Sequence, residues 1–152
     1  IFEPSEGLKT PCTPQAVIEM LRYYDIEMTG KKVAVLGRSS VIGKPVALLL
    51  LNENATVTIC HSKTVDLRET VREADIVISA MGRAKMIDGS YIREGATLID
   101  VGINTDEDGK LCGDADFESA EKVAGAISPV PGGVGSVTTT ILAKNLLSGI
   151  SE

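Results

Sequence analysis

A chain of 152 residues suffices for one domain and can bury about 68–70% of its unfolded surface, enough for an apolar core without disulfides or metal. Hydrophobic residues make up 43% and charged residues 24%, which excludes a disordered chain; the longest clean apolar run, 46–51, falls well short of the ~18 residues of a membrane span. The 15 basic and 21 acidic residues leave a net charge of −6, which argues against non-specific nucleic-acid binding, and the absence of Trp removes much of the surface on which bases stack.

In chain order, Thr13-Pro14 reads as a helix start, with Val17, Ile18, Leu21 and Tyr24 recurring on one face behind it. Five short runs then follow at intervals of about 20 to 25 residues: 33–37 (VAVLG), 56–60 (TVTIC), 75–80 (DIVISA), 97–101 (TLIDV) and 124–128 (AGAIS). Their near-continuous apolarity predicts parallel strands buried on both faces. A helix is predicted over 66–74, with Leu67 and Val71 inward and Arg68, Glu69, Arg72 and Glu73 outward. Residues 103–121 carry seven acids (Asp106, Glu107, Asp108, Asp114, Asp116, Glu118, Glu121) against one base, Lys110. With the turn dipeptide Asp108-Gly109 they predict a solvated β-arm followed by a short helix. The last element is a helix over 137–147, with Gly149 as its stop. The pattern is that of an α/β protein: a Rossmann-type doubly wound parallel sheet with helices on both faces and a small β-arm.

Three scattered cysteines (Cys12, Cys60, Cys112) fit a reduced, cytoplasmic protein without structural zinc, and a single histidine, His61, excludes a multi-His metal site. The chain opens at Ile1 with neither an initiator Met nor a signal-peptide core, and a segment is expected upstream.

Three segments carry chemistry. The first, 37–45 (GRSSVIGKP), follows the first strand. Gly37 permits a sharp turn, Gly43 lets the next helix approach, and Pro45 suits a first helical turn whose free N–H groups attract an anion. This is the context of a dinucleotide fingerprint without its letter, since the glycines stand first and seventh; an ordinary strand–helix turn is the other reading. The second, 60–64 (CHSKT), ends the second strand, where an NAD-selective site places an acid on the ribose. No acid occurs before Asp66. Ser62 and Lys63, with Arg38 nearby, favour the 2′-phosphate of NADP if a dinucleotide binds. His61 reads either as a strand-end residue without chemistry or as a catalytic one. The third, 128–140 (SPVPGGVGSVTTT), brings two prolines and three glycines to the carboxyl end of the last strand, the ligand crevice of an open sheet, although Pro-Gly-Gly also makes plain turns.

Pro11-Cys12-Thr13-Pro14, GRSSVIGKP, TICHSKT, ADIVISAMG, IDVGIN, GDADF and PVPGGVG, in that order, resemble the bifunctional methylenetetrahydrofolate dehydrogenase/methenyltetrahydrofolate cyclohydrolase family. The resemblance runs from Pro11 to about Gly149 and covers the family's C-terminal, NADP-binding domain. It implies that Gly37, Arg38, Ser39, Ser62, Ile103 and Thr138 hold NADP, and that Pro131, Gly132 and Gly133 border folate and nicotinamide. Ser136-Val137 stands where the family usually has Pro-Met, and Ala16 where it usually has Gly.

The implied chemistry is NADP-dependent oxidation of 5,10-methylenetetrahydrofolate to the methenyl form and hydrolysis of that form to 10-formyltetrahydrofolate, in one-carbon metabolism serving purine biosynthesis. The family's catalytic Lys and its Tyr, Gln and Asp partners belong to an N-terminal domain. Residues 1–12 then read as a linker from that domain and 13–152 as the cofactor domain, with no catalytic residue of its own. Expected partners are the folate, the N-terminal domain and a second copy in a homodimer, with the acidic arm as a candidate contact. A stand-alone NADP-binding module and a dehydrogenase of another substrate class are the alternatives. The helices at 13–24 and 137–147 are expected to carry apolar surface meant for the N-terminal domain.

Overall fold

The sheet is built outward from β1 (Lys32–Leu36), whose last four residues are buried. Val33 and Val35 point to one face and Ala34 and Leu36 to the other, so both faces need a cover. The computed structural model describes residues 12–130 and 133–134. Within them, α1 (Cys12–Tyr23), α2 (Gly43–Asn52), β2 (Thr56–Cys60), α3 (Leu67–Arg72), β3 (Ile76–Ser79), β4 (Thr97–Asp100), β5 (Asn104–Thr105), β6 (Leu111–Cys112), α4 (Phe117–Glu121) and β7 (Ala126–Ile127) follow in order, with a 3-10 turn at Gly89–Tyr91. The helix expected over 137–147 lies outside the described residues.

Five strands form one parallel sheet in the order β2-β1-β3-β4-β7. On one face, Val17, Ile18 and Leu21 of α1 and Val46 and Leu50 of α2 pack on Val33, Val35, Ile76, Ile78 and Ile99. On the other, Val71 of α3 and Ala120 of α4 join Ala34, Leu36, Val77, Leu98, Ile87 and Ile92. This is the expected doubly wound α/β architecture. Each fully buried Val, Ile or Leu contributes roughly 1.5–3 kcal/mol of transfer free energy, and the two layers hold the sheet from both sides.

Three expectations are corrected. β2 is an edge strand, not one buried on both faces: Thr56, Thr58 and Ile59 are exposed, and only Cys60 is fully covered. β7 is two residues long rather than five, and partly exposed at the opposite edge of the described sheet. In α1 the inward residues Val17, Ile18 and Leu21 are consumed by this chain's own core, while Tyr24 falls beyond the helix end and is exposed.

Asp75, expected inside the third strand, sits just before β3 at the amino edge. Its carboxylate accepts the Lys32 N–H at 2.9 Å and pairs with Arg93. These contacts, the backbone bond first, hold its pKa below the usual carboxylate value. The acidic segment forms the expected arm. β5 and β6 pair antiparallel, with Asn104 opposite Cys112, and the chain reverses through Gly109 at φ +76°. Asp106 secures the reversal by accepting the N–H groups of Asp108 and Lys110, each at 2.9 Å.

Candidate functional site

In the order β2-β1-β3 the chain leaves β1 to one side for β2 and returns to the other side for β3. The crevice of an open parallel sheet lies beyond the carboxyl ends of the strands at such a reversal. The loops after β1, β2, β4 and β7 emerge along this edge, and adjacent strands are about 4.8 Å apart. Gly37, Arg38, Ser39, Ser62, Ile103 and Gly133 are therefore brought to one rim of the sheet. Pro131, Gly132 and Thr138 lie outside the described residues.

The first loop is tightly determined. Gly37 has φ +119°, and a Cβ there would stand 2.4 Å from the Ala80 carbonyl oxygen, so only glycine serves. A Cβ on Gly43 would stand 2.2 Å from the Gly37 carbonyl oxygen; α2 starts in direct contact with the turn that ends β1. Both expectations about these glycines hold.

The expectation of free N–H groups at the start of α2 does not. Ser39 Oγ accepts from Ile42 N at 3.0 Å and Gly43 N at 3.4 Å, and the Ser39 carbonyl takes Lys44 N at 3.0 Å. With its oxygen used as acceptor, the Ser39 hydroxyl keeps its proton to donate. The N–H groups of Arg38, Ser39, Ser40 and Val41 have no partner among the described residues, nor do the exposed side chains of Arg38 and Lys44. The anion-directed donors have moved from the helix to the loop before it.

Beyond β2 the backbone turns through residues 61–64, held by Thr64 N on the His61 carbonyl at 3.0 Å, His61 N on Thr64 Oγ1 at 2.8 Å and Lys63 N on His61 Nδ1 at 3.1 Å. Accepting at Nδ1 places the ring proton on Nε2. His61 hydrogen-bonds to no carboxylate among the described residues, and its contacts are those of a turn-former rather than a general base. Ser62 and Lys63 are exposed at the tip, where no carboxylate among the described residues is hydrogen-bonded to them.

Composition placed Asp114 on a solvated face; it is completely buried. Oδ2 accepts from Ser79 Oγ at 2.9 Å and Met81 N at 2.7 Å, and Oδ1 from Arg83 N and Asn104 Nδ2, both at 3.0 Å. Asp100, at the end of β4, is its neighbour. Its carboxylate accepts the N–H groups of Gly102, Asp114 and Ala115 at 2.8–3.1 Å. Burial pushes the Asp100 pKa upward despite these donors, and the charge of Asp114 pushes the same way. The packing admits no side chain between them: a Cβ on Gly113 would lie 2.0 Å from Asp100 Oδ2. Together the two acids fasten the arm to the ends of β3 and β4 and fix the loop that presents Ile103, 71% exposed, at the rim. An acid inside the apolar run 97–101 was the only sequence signal of this arrangement.

After β7, Ser128 Oγ accepts the Asp100 N–H at 2.8 Å, joining the last loop to β4. Gly133 is buried, and a Cβ there would lie 2.4 Å from the Pro129 carbonyl oxygen. Its lack of a side chain lets residue 133 pack directly against the Pro129 carbonyl.

These features fit a phosphate-bearing dinucleotide. A glycine turn closed to any Cβ and, among the described residues, a hydroxyl with its proton free, four unpartnered loop N–H groups and unpaired cations stand along one rim. Exposed Val41 and Ile103 stand on two of the rim loops as apolar surface for a ring system.

Comparison with known proteins agrees with this geometry. Residues 11–152 match the family described as tetrahydrofolate dehydrogenase/cyclohydrolase, NAD(P)-binding domain. The bifunctional protein FolD of Clostridium botulinum (strain Okra / Type B1) is 55% identical over 147 residues, 97% of this chain and 52% of that protein. The crystal structure of the Campylobacter jejuni FolD methylenetetrahydrofolate dehydrogenase/cyclohydrolase superposes with a TM-score of 0.88 at 44% identity, over 92% of this chain and 50% of that one. The Trypanosoma brucei enzyme, solved with NADP cofactor and inhibitor, gives 0.84 at 49% identity over 91% and 49%. The chain thus spans about half the length of the curated relatives it matches. Fold, rim and sequence agree: the chain belongs to the tetrahydrofolate dehydrogenase/cyclohydrolase family and carries its NAD(P)-binding domain.

Proposed function

We propose that the chain is the cofactor-holding half of an NADP-dependent enzyme that oxidises 5,10-methylenetetrahydrofolate to 5,10-methenyltetrahydrofolate and hydrolyses the product to 10-formyltetrahydrofolate. The observation that carries the choice of NADP is the corner between the β1 and β2 loops. There Arg38, Ser62 and Lys63 are exposed with no ion-pair partner among the described residues, where an NAD site would place a carboxylate. A 2′-phosphate at that corner gains charge-assisted hydrogen bonds from Arg38 and Lys63 and a hydroxyl donor from Ser62. The N–H groups of residues 38–41 and the Ser39 hydroxyl hold the remaining phosphates, and Ile103 bears on the cofactor from the β4 side. When bound, NADP supplies the hydride acceptor.

The chain's part in the reaction is placement and exclusion of water. Thr138 completes the cofactor contacts in this reading, and Pro131, Gly132 and Gly133 border the folate. The proton-transfer Lys and its partners belong to an N-terminal domain for which residues 1–12 are the linker, and residues 13–152 form the cofactor domain. A cytoplasmic homodimer completes the proposal.

Replacing Arg38 by Ala tests it. One charge-assisted bond to phosphate contributes roughly 1.5–3 kcal/mol, so NADP affinity should fall about tenfold or more while NAD affinity stays nearly constant. Equal weakening of both cofactors in a fluorescence titration would refute the placement. The chain alone should bind NADP without oxidising the folate, and addition of the N-terminal domain should restore both activities, read as the absorbance of reduced cofactor and loss of the methenyl band. Full turnover by residues 1–152 alone would move catalysis back into this domain.

A further inference from the structure

The turn at 61–64 is built entirely on His61. Its carbonyl, its N–H and its Nδ1 each make one of the three hydrogen bonds that close the turn, to Thr64 N, Thr64 Oγ1 and Lys63 N. Ser62 and Lys63, at the tip, make no side-chain hydrogen bond or ion pair among the described residues, so their position is set by the backbone that His61 holds. The bond from Lys63 N to Nδ1 reproduces with an imidazole what Asn or Asp does in an Asx turn, a side-chain acceptor taking the N–H two residues on. An Asp would close the same turn but bring a negative charge beside the two donors. Histidine closes it without charge, provided Nδ1 is unprotonated.

On the reading that this corner takes the 2′-phosphate, we propose that His61 is a positioning and specificity-determining residue. Its neutral Nδ1 holds the Lys63 N–H so that Ser62 and Lys63 face the phosphate, and it denies the position to a carboxylate that would favour NAD. His61 itself moves no proton in the reaction.

The test is titration of the full chain with NADP and with NAD, for the unmodified protein and for His61→Ala, His61→Asn and His61→Asp, with melting temperature followed in parallel. His61→Ala should weaken NADP about tenfold and NAD less than twofold. His61→Asn, which retains a neutral acceptor two residues before the Lys63 N–H, should bind both within about twofold of the unmodified chain. His61→Asp should weaken NADP about tenfold or more and bind NAD at least as well as before, narrowing or inverting the preference. A His61→Ala chain with unchanged NADP/NAD discrimination overturns the inference. So does a His61→Asn chain that melts normally but loses discrimination. Should the unmodified chain bind neither nucleotide, the cofactor reading fails first and this one with it; should it bind NADP while His61→Ala is indistinguishable, only the role of His61 falls.

Discussion

Replacing Asp114 by Asn keeps the volume of the side chain and removes its charge, which isolates what the buried carboxylate does. In the native protein two oxygens serve four donors: Ser79 Oγ and Met81 N on one, Arg83 N and Asn104 Nδ2 on the other. An amide has one oxygen. Turned with its nitrogen toward Ser79, it can donate to that hydroxyl, but the Met81 N–H then faces a second donor beside a fully buried side chain. Turned the other way, it strands both the Arg83 N–H and the Asn104 amide. The first orientation is the milder. A hydrogen bond to a charged group contributes roughly 1.5–3 kcal/mol, and a buried donor left without a partner costs about 1–3 kcal/mol, so a net loss of about 2–4 kcal/mol is expected. Asp114→Ala, which strands all four donors and opens a small cavity, should lose more, about 4–6 kcal/mol. For a chain of this length each kcal/mol lowers the melting temperature by about 2–4 °C. Urea unfolding followed by far-ultraviolet circular dichroism measures both variants. An Asp114→Asn chain within about 0.5 kcal/mol of the parent would show that the four contacts are replaceable by water or by relaxation, and would refute the assignment of the acid as the fastening of the arm.

Two further outcomes are expected. Gly43→Ala places a methyl 2.2 Å from the Gly37 carbonyl oxygen, against backbone rather than a flexible side chain, and should cost about 1–3 kcal/mol while loosening the first loop; a chain with the parent's urea midpoint would argue against direct packing of α2 on the turn. Because burial raises the Asp100 pKa above its unfolded value, the folded state takes up a proton over the window between the two values, and stability from this group falls as pH rises through that window. Asp75 and Asp106 are held low and act oppositely, their contributions being lost as pH falls through their folded values. Asp100→Asn should delete the first trend and keep the second in urea midpoints taken from neutral pH to about pH 3, and an unchanged profile would refute it.

The centre of the fold was legible because β1, β3 and β4 are near-continuously apolar, with polar residues (Lys32, Ser79, Thr97, Asp100) only at their ends, a pattern that burial on two sides explains. β2 was not. It is richer in β-branched residues than β1, but threonine is as comfortable at an open edge as against a helix, and which strand ends up outermost is decided by the crossovers. Gly37 and Gly43 announced the first loop by spacing, whereas the capture of the α2 N–H groups by Ser39 depends on one rotamer that no spacing encodes. Asp114 was hidden among six other acids of its segment. Its donors come from residues 79, 81, 83 and 104, and only the folded arm brings those positions to one carboxylate.

The central place of β1 also shapes how the chain assembles. Among the described strands it comes first in the chain, yet its partners lie far downstream: Val33 stands opposite Val57 on one side and Ile76 on the other. Neither pairing is a hairpin, so the closure entropy of a long loop must be met before any ladder bond repays it. Until about residue 80 has left the ribosome, the run from Val33 to Leu36 has no completed sheet to enter. A nascent chain stalled between β2 and β3 would present that run on one open side, which makes it the natural segment for a chaperone to shield and the first to seek a wrong partner when shielding fails.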